Sequence, residues 1–253
     1  AKSPTMDEYV EFVYIDNIPA FADIKTSIKV LEKGVYRTES GKVQQFSAEE
    51  MKPSSLSFKI ACKDPYWTKI SRIKAKWYIK FVLNGGNPVT GTPNKNWRGI
   101  RPVHCREAVA LFLNIGYMCT LENFQKRIST FQGVLLDNNK NAVDTSKIIS
   151  RLENLSGFDI GLVYAGNGVA GLGGGRTWGV YQKSFLYHYE NSGGCCTTIF
   201  HELGHCLGYS HNSTMTYGQW ASGCADVFYK NNIKDFPVNS HTILKSRSNP
   251  NIY

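Results

Sequence analysis

The chain has 253 residues, 42% of them hydrophobic, which suits one domain, or two subdomains around a cleft, with a large buried core. The formal net charge is +9, but the basic residues are dispersed and no recognition motif accompanies them, so nucleic-acid binding is not predicted. No run of about eighteen apolar residues occurs, which argues against a membrane span.

The N-terminal part of the chain predicts strands and one helix. Residues Glu8 to Ile15 have the composition of a first strand, and Phe21 to Lys33 is predicted as a helix. The segment from Ile70 to Leu83 alternates in part and predicts a long β segment. Glycine and proline punctuate Asn84 to Trp97, which is therefore predicted as a loop.

The middle of the chain alternates between predicted helices and a strand. Arg106 to Tyr117 and Thr145 to Leu155 are predicted as helices. Phe158 to Tyr164 has the β-formers of a strand, and a glycine-rich run, Gly166 to Gly175, follows it. The elements together predict an α/β domain.

A short run that begins at His201 and reads HELGHCLGYSH carries most of the functional information. His201 and His205 are four residues apart, so on a helix both imidazoles project from one face at a separation that suits a single metal ion. Glu202 lies roughly 100° around the helix from His201, which places its carboxylate beside the metal. Glu202 is therefore the predicted general base.

A turn after this helix supplies the third ligand. Gly208 can adopt a positive φ, end the helix and bring His211 back towards the other two histidines. Three protein ligands leave the fourth position of a tetrahedral zinc ion open for water, as in catalytic rather than structural zinc sites.

The apolar residues of the same run predict which side of the helix is buried. Ile199, Leu203 and Leu207 recur every four residues and form a stripe that can face a core. Thr197 or Thr198 is a candidate cap for the first turn.

The pattern HExxHxxGxxH followed by a methionine turn resembles the metzincin family of zinc peptidases. The fixed positions are matched by His201, Glu202, His205, Gly208 and His211, and Met215 lies where the family's turn passes beneath the metal. The resemblance implies Zn²⁺ as the cofactor, with His201, His205 and His211 as its ligands. It also implies peptide-bond hydrolysis by a zinc-bound water, with Glu202 as general base and acid.

The resemblance also implies an architecture. The fold class is α/β (α+β), with a twisted mixed sheet, a backing helix and an active-site helix. The expected single catalytic domain, residues 1–253, comprises an upper subdomain, 1–208, and a small loop-rich lower subdomain, 209–253, which carries the third ligand and Met215.

Tyr217 narrows the resemblance within the family. Its Met-x-Tyr spacing is similar to the astacin and serralysin branches, whose tyrosine can ligate zinc and steady the oxyanion, so Tyr217 is a candidate catalytic residue. Asn212 follows the third histidine, where astacins have glutamate and serralysins proline. The exact branch is therefore left open.

Substrate-binding residues are also implied by the resemblance. In the family an edge strand before the active helix binds an extended peptide, and the corresponding residues are Gly168, Val169, Ala170, Gly171 and Leu172. A flexible loop without a contact role is the alternative for this stretch. Trp220 is a candidate wall of the pocket, or a core residue.

Cysteine usage predicts a secreted protein with disulfide bonds. Seven cysteines are many for a cytosolic enzyme, and none shows CxxC spacing. Adjacent Cys195 and Cys196 are expected to have different partners, one of which could be Cys224, and the odd count leaves one thiol over. Cys206 is expected to be a small buried apolar residue. The glycosylation sequon at Asn212, beside a ligand, favours a bacterial origin or a site that is not used.

These features predict a secreted zinc endopeptidase that acts on a protein or peptide. Two alternatives remain open at the level of sequence. The chain could be the proteolytic A subunit of a bacterial AB-type toxin, with a second, binding subunit as partner. It could also be a zinc-stabilised binding module with weak catalysis.

Overall fold

The structure, a computed structural model, describes residues 1–11, 14–15, 33–38, 40–47, 53–59, 64–83, 94–188 and 195–239. The chain divides into two compact units, Ala1–Cys62 and Lys63–Tyr253. Every predicted site residue lies in the second unit. The predicted single catalytic domain with an upper and a lower subdomain stays a prediction.

The first unit contains one antiparallel hairpin. Strand β1 (Lys33–Arg37) pairs with β2 (Val43–Ser47), and a 3-10 turn follows at Pro53–Ser55. Met6 and Val10 form its small buried core.

Two predictions concern this unit. The strand predicted over Glu8 to Ile15 is wrong for the described residues, because Val10 makes only an isolated bridge with Thr38. The Val10 N–H donates instead to the Ala1 carbonyl. This bond occupies an N–H group that would otherwise be available to pair with a neighbouring strand. The helix predicted over Phe21 to Lys33 lies outside the described residues, apart from Lys33 at the start of β1.

The second unit is a mixed α/β unit with helices on a small sheet. Its helices are α1 (Pro65–Ile70), α2 (Pro102–Cys119), α3 (Glu122–Ser129), α4 (Ile148–Glu153), α5 (Gln182–Tyr187), α6 (Cys195–Cys206) and α7 (Val227–Asn232). Its strands are β3 (Tyr78–Leu83), β4 (Trp97–Arg98), β5 (Gly157–Val163), β6 (Gly171–Gly174) and β7 (Thr177–Tyr181). A π-helical segment, Gln219–Asp226, runs directly into α7.

The five strands of the second unit form an open, mostly parallel sheet. Its order is β3-β5-β7-β6, and β4 pairs with the end of β5. The β3–β5 and β5–β7 pairs are parallel, whereas β6 runs antiparallel to β7. Among the described residues, strand β6 is thus an antiparallel edge strand, and β7 and α5 follow it in sequence before the histidine motif. The predicted α/β class is confirmed at this level.

Several predicted elements are confirmed. Helix α2 contains the predicted Arg106 to Tyr117 and begins earlier, because Pro102 suits the first turn of a helix. Helix α4, with the 3-10 turn Thr145–Lys147 before it, matches the predicted Thr145 to Leu155. Strand β5 matches the predicted Phe158 to Tyr164.

The β segment predicted over Ile70 to Leu83 is only half right. Ile70 ends α1, and pairing begins at Tyr78. The Asp64 carboxylate caps the Tyr66 N–H and so starts a short helix. Of the predicted loop Asn84 to Trp97, only residues 94–97 are described, and Trp97 begins β4.

An aromatic cluster joins α2 to the sheet. The ring of Phe112 on α2 lies 4.5 Å from Phe158 on β5 and 4.9 Å from Trp178 on β7, between ring centroids. Trp77 packs edge-on against Phe158 at 5.5 Å. Burial of each such ring stabilises the fold by roughly 2–3 kcal/mol. The Trp178 indole also donates to the carbonyl of Ile199 on α6, at 3.5 Å, and so links the sheet to that helix.

A buried polar network holds α2 against α7. Asn114 donates to the Tyr229 hydroxyl at 2.9 Å, and that hydroxyl lies 3.0 Å from His188 Nδ1. His188 Nε2 lies 3.5 Å from the Glu107 carboxylate. The Asn114 side-chain nitrogen also donates to the Val238 carbonyl, and its side-chain oxygen accepts from the Val238 N–H. His188 is therefore a structural residue.

Among the described ranges, no helix combines the length and the apolar character needed to cross a membrane.

Replacement of Gly157 tests the pairing of β3 with β5. Gly157 has φ 136°, and an added Cβ would lie 2.0 Å from the Tyr78 carbonyl oxygen. Gly133, with φ 80° and no atom within 4 Å, is the matched control. We expect Gly133→Ala to cost about 1 kcal/mol of unfolding free energy and Gly157→Ala roughly 1–3 kcal/mol more, measured from urea unfolding midpoints. Equal losses would contradict this close approach.

Candidate metal centre

Helix α6 carries three of the predicted site residues. Ile199 and Leu203 are fully buried, and Leu207 just beyond the helix is 7% exposed, so the predicted apolar stripe is confirmed. The prediction that Thr197 or Thr198 caps the helix is wrong, because α6 begins at Cys195. The Thr197 hydroxyl donates instead to the Asp226 carboxylate at 3.0 Å.

The chain turns sharply at Gly208, as predicted. Gly208 has φ 89°, and its N–H donates to the His205 carbonyl at 2.9 Å. The Tyr209 N–H donates to the Gly204 carbonyl at 3.1 Å. These two bonds form a Schellman motif, which satisfies carbonyl groups at the helix end and redirects the chain.

The three predicted histidine ligands converge on one point. The Nε2 atom of His201 lies 3.1 Å from that of His205 and 3.3 Å from that of His211. One nitrogen from each of the three lies within 4.8 Å of the others. This group could hold a metal ion. Bonds of about 2.0–2.1 Å to a tetrahedral ion would separate neighbouring ligand atoms by about 3.3 Å, so the spacing fits zinc.

The hydrogen bonds of two histidines prepare them as ligands. The Nδ1 atom of His205 lies 2.7 Å from the Tyr209 carbonyl oxygen, which assigns the ring proton to Nδ1 and leaves the lone pair on Nε2. The His201 ring bonds to the Thr216 backbone. Burial lowers the pKa of His201, and the neighbouring His205 lowers it further. Burial also lowers the pKa of His205. The lowered pKa values favour the neutral form of both rings, which is the form that metal ligation requires.

Glu202 lies buried beside the histidines. Its Oε1 atom is 3.9 Å from His201 Nε2, and the residue is 4% exposed. Burial raises the pKa of Glu202 to about 8, because a desolvated carboxylate is disfavoured. A carboxyl group with such a pKa can both accept and donate a proton near neutral pH.

The edge strand β6 presses against Glu202. A Cβ added at Gly171 would lie 2.2 Å from Glu202 Oε1, and one added at Gly173 would lie 2.5 Å from the Glu202 carbonyl oxygen. The two positions face the same side of the sheet, because side-chain directions alternate along a strand. The carboxylate of Glu202 therefore occupies the space that a side chain on β6 would fill.

Met215 packs against α6. Its side chain is fully buried, and a Cβ added at Gly204 would lie 2.3 Å from the Met215 carbonyl oxygen. The Met215 N–H donates to the Ser213 hydroxyl at 2.9 Å. Gly204 thus permits the methionine turn to contact the helix backbone.

Tyr217 lies over the histidine cluster. Its ring centroid is 4.9 Å from that of His201 and 5.3 Å from that of His211, and the residue is 51% exposed. The side chain is thus close to the centre on its open side, where a hydroxyl can reach a bound molecule.

The predicted substrate-binding residues have different outcomes. Gly171 and Leu172 belong to β6, whereas residues 168–170 lead into it after a left-handed turn at Gly168. The second half of the glycine run is thus a strand and not a flexible loop. Trp220 is a core residue and not a pocket wall, because it is fully buried and packs against Phe124 at 6.4 Å between ring centroids.

Four cysteines among the described residues carry free thiols. They are Cys105, Cys119, Cys206 and Cys224. Cys206 is buried as predicted, and its thiol donates to the Thr177 carbonyl at 3.2 Å. The side chains of Cys195 and Cys196 lie outside the described residues. Cys224, suggested as a disulfide partner of Cys195 or Cys196, thus carries a free thiol. Disulfide bonds among the remaining cysteines stay a prediction.

The sequence interpretation missed the roles of Gly173 and Gly204. Gly204 had a usable sign, since a glycine inside a helix costs about 1 kcal/mol and usually has a packing reason. Gly173 had none, because one glycine in a glycine-rich run does not identify itself.

Comparisons of the chain with models of known families, with curated proteins and with solved structures found no match.

The pH dependence of stability tests the burial of Glu202 in metal-free protein. The folded pKa of about 8 exceeds the ordinary value of 4.5, so this group's stabilisation is fully present below pH 4.5 and is lost as the pH rises through 8. Glutamine cannot ionise. We expect Glu202→Gln to raise the thermal midpoint more at about pH 9 than at about pH 5, measured by circular dichroism.

Saturating zinc is the control for this measurement. A nearby cation favours the carboxylate, so the difference between the two proteins at high pH should shrink. A midpoint difference that is the same at both pH values would show that Glu202 ionises normally.

Proposed function

We propose that this chain is a zinc-dependent endopeptidase. The observation that carries the proposal is the convergence of three histidine Nε2 atoms beside the buried carboxyl group of Glu202, with the edge strand β6 directly against that carboxyl group. Together these features supply a metal site, a proton carrier and a place for a peptide.

Zinc is the metal that best fits this set of ligands. Three neutral imidazoles at tetrahedral spacing are a common catalytic zinc set, and a fourth position is left for substrate or water. His201, His205 and His211 would hold the ion. When bound, zinc lowers the pKa of water to about 7 and polarises a carbonyl group.

Two residues near the ion would carry out proton transfer and stabilise the oxyanion. Glu202 would take the proton from the attacking water and pass it to the amine nitrogen that leaves when the peptide bond breaks. The backbone of β6 at Gly171 and Gly173 lies directly against Glu202, so the Glu202 carboxyl group is held in one place. Tyr217, exposed above His201 and His211, would donate a hydrogen bond to the oxyanion.

The substrate we propose is an extended polypeptide. Strand β6 has β7 as its described neighbour, and its other edge can accept main-chain hydrogen bonds from an added strand. A peptide bound there would pass next to Glu202. Gly168, Val169 and Ala170, which lead into β6, would extend the contact along the substrate.

The proposal includes a metzincin-like fold. It is supported by the motif, by the sheet with one antiparallel edge strand before α6, by the Schellman turn at Gly208 and by the buried methionine beneath the helix. Secretion, as the cysteine count suggests, belongs to the same proposal.

Removal of the Glu202 carboxylate separates hydrolysis from metal binding. We expect purified protein to cleave casein or gelatin, with loss of cleavage in the presence of a chelator and recovery on addition of zinc. Glu202→Ala should retain one zinc per chain and lose cleavage by a factor of about 10² or more, because the proton carrier is gone. Zinc content and mass-spectrometric mapping of the products are the measurements.

Glu122→Ala, an exposed glutamate on α3, is the control and should retain full activity. If Glu202→Ala cleaved peptides at the wild-type rate, Glu202 would not be the base. A wild-type protein that binds zinc and peptides and cuts none would be a binding module.

Removal of one hydroxyl tests Tyr217. Tyr217→Phe keeps the ring over His201 and His211, so we expect zinc affinity to be unchanged and kcat to fall more than KM rises. Tyr78→Phe, an exposed tyrosine on β3, is the matched control and should change neither constant. A rise in KM alone would assign Tyr217 to substrate binding.

A further inference from the structure

The third histidine lacks the support that the other two receive. His201 and His205 are fixed by α6, whereas His211 lies on an irregular segment after the helix and is exposed. A ligand on such a segment needs other contacts to hold it within reach of the metal, because each extra backbone conformation costs affinity. We refer to residues 208–214 as the third-ligand segment.

A loop about seventy residues upstream contacts this segment. The loop, residues 134–142, connects the region of α3 to that of α4, and we name it the bracing loop. Its Leu136 makes two hydrogen bonds with Thr214: the Leu136 N–H donates to the Thr214 hydroxyl at 2.7 Å, and the Thr214 N–H donates to the Leu136 carbonyl at 3.1 Å. The Ser213 hydroxyl also donates to the Leu136 carbonyl, at 2.6 Å. These bonds hold the end of the third-ligand segment.

Asn138 in the bracing loop holds the beginning of the segment. Its side-chain oxygen accepts from the Ser210 N–H at 2.7 Å and from the Ser210 hydroxyl at 3.1 Å. Its amide nitrogen donates to the Gly208 carbonyl at 3.2 Å. One side chain therefore bonds both the glycine that turns the chain and the residue just before His211.

The bonds continue to the residue just after His211. The Ser210 hydroxyl accepts from the Asn212 N–H at 3.3 Å, and the Lys140 ammonium group donates to the Asn212 carbonyl. His211 is thus flanked on both sides by residues that the bracing loop holds.

The bracing loop is itself ordered by local bonds. The Asp137 side chain accepts from the Asn139 N–H at 2.8 Å and from the Asn141 N–H at 2.9 Å. The Asp137 N–H donates to the Asn141 carbonyl at 2.8 Å, which closes the turn. Asn138 is therefore presented from a preorganised turn and not from a free chain.

We propose that Asn138 is a positioning residue of the metal centre, which acts by fixing the third-ligand segment so that His211 meets the metal. The inference rests on the proposed metal centre and not on peptide hydrolysis. Mutation of residues that orient metal ligands without contacting the metal typically lowers metal affinity about 10- to 100-fold. No such role follows from the histidine motif, which Asn138 precedes by more than sixty residues.

Zinc affinity in the wild type and four variants tests the role of Asn138. We expect Asn138→Ala to raise the zinc dissociation constant about 10-fold or more, measured by competition with a chromogenic chelator. In a His211→Ala background, where the ligand that Asn138 positions is absent, Asn138→Ala should change the dissociation constant little. Asn139→Ala alters the neighbouring exposed asparagine and should bind zinc as the wild type does.

Two outcomes would overturn the proposal. Wild-type zinc affinity in Asn138→Ala would show that the third-ligand segment holds itself. An equal loss of affinity with and without His211 would show that Asn138 supports the fold generally. The thermal midpoint of each metal-free protein checks that the variants remain folded. Because zinc binding is the measurement, the result stands whether or not the wild type cleaves peptides.

Discussion

The position of α6 depends on three glycines at which a side chain would not fit. Gly171 and Gly173 let the edge strand reach Glu202, and Gly204 lets the methionine turn reach the opposite part of the helix. In each case a Cβ would lie less than 3 Å from an atom of Glu202 or Met215, a distance that close-packed interiors do not tolerate. The helix is therefore confined between strand and turn, and this confinement places Glu202 beside the histidines.

Confinement also sets the charge state of the centre. Burial lowers the pKa values of His201 and His205 and raises that of Glu202 to about 8, so it favours the uncharged form of each of these three groups. Neutral imidazoles are ready to bind a cation without first losing protons. A bound cation would then favour the ionised form of Glu202. In the proposed enzyme, metal binding and activation of the base are therefore coupled by the same desolvated environment.

The sequence predicted the local part of this centre and not the distant part. His201, His205 and Glu202 share a helix, and Gly208 ends it, so spacing alone was sufficient for them. Trp220 was different, because an aromatic residue near a site can line a pocket or fill a core, and only packing against Phe124 decides. The contact of Asn138 with the third-ligand segment could not be predicted, since hydrogen bonds between residues about seventy positions apart leave no periodic pattern in the sequence. The segment after Ile70 misled because a partial alternation of apolar residues does not show where strand pairing begins, which in this chain is Tyr78.

The bracing loop has a consequence for the order in which the chain folds. Two ligands lie on one helix and come together as soon as that helix forms, within microseconds. If Asn138 positions His211 as proposed, the third histidine is fixed beside them only after residues separated by about 70 positions have met, and closure of so long a loop is slow and entropically costly. A complete three-histidine centre would thus appear late in folding, when the tertiary structure around it is already in place. Incomplete chains on the ribosome would carry the helix and lack a finished centre.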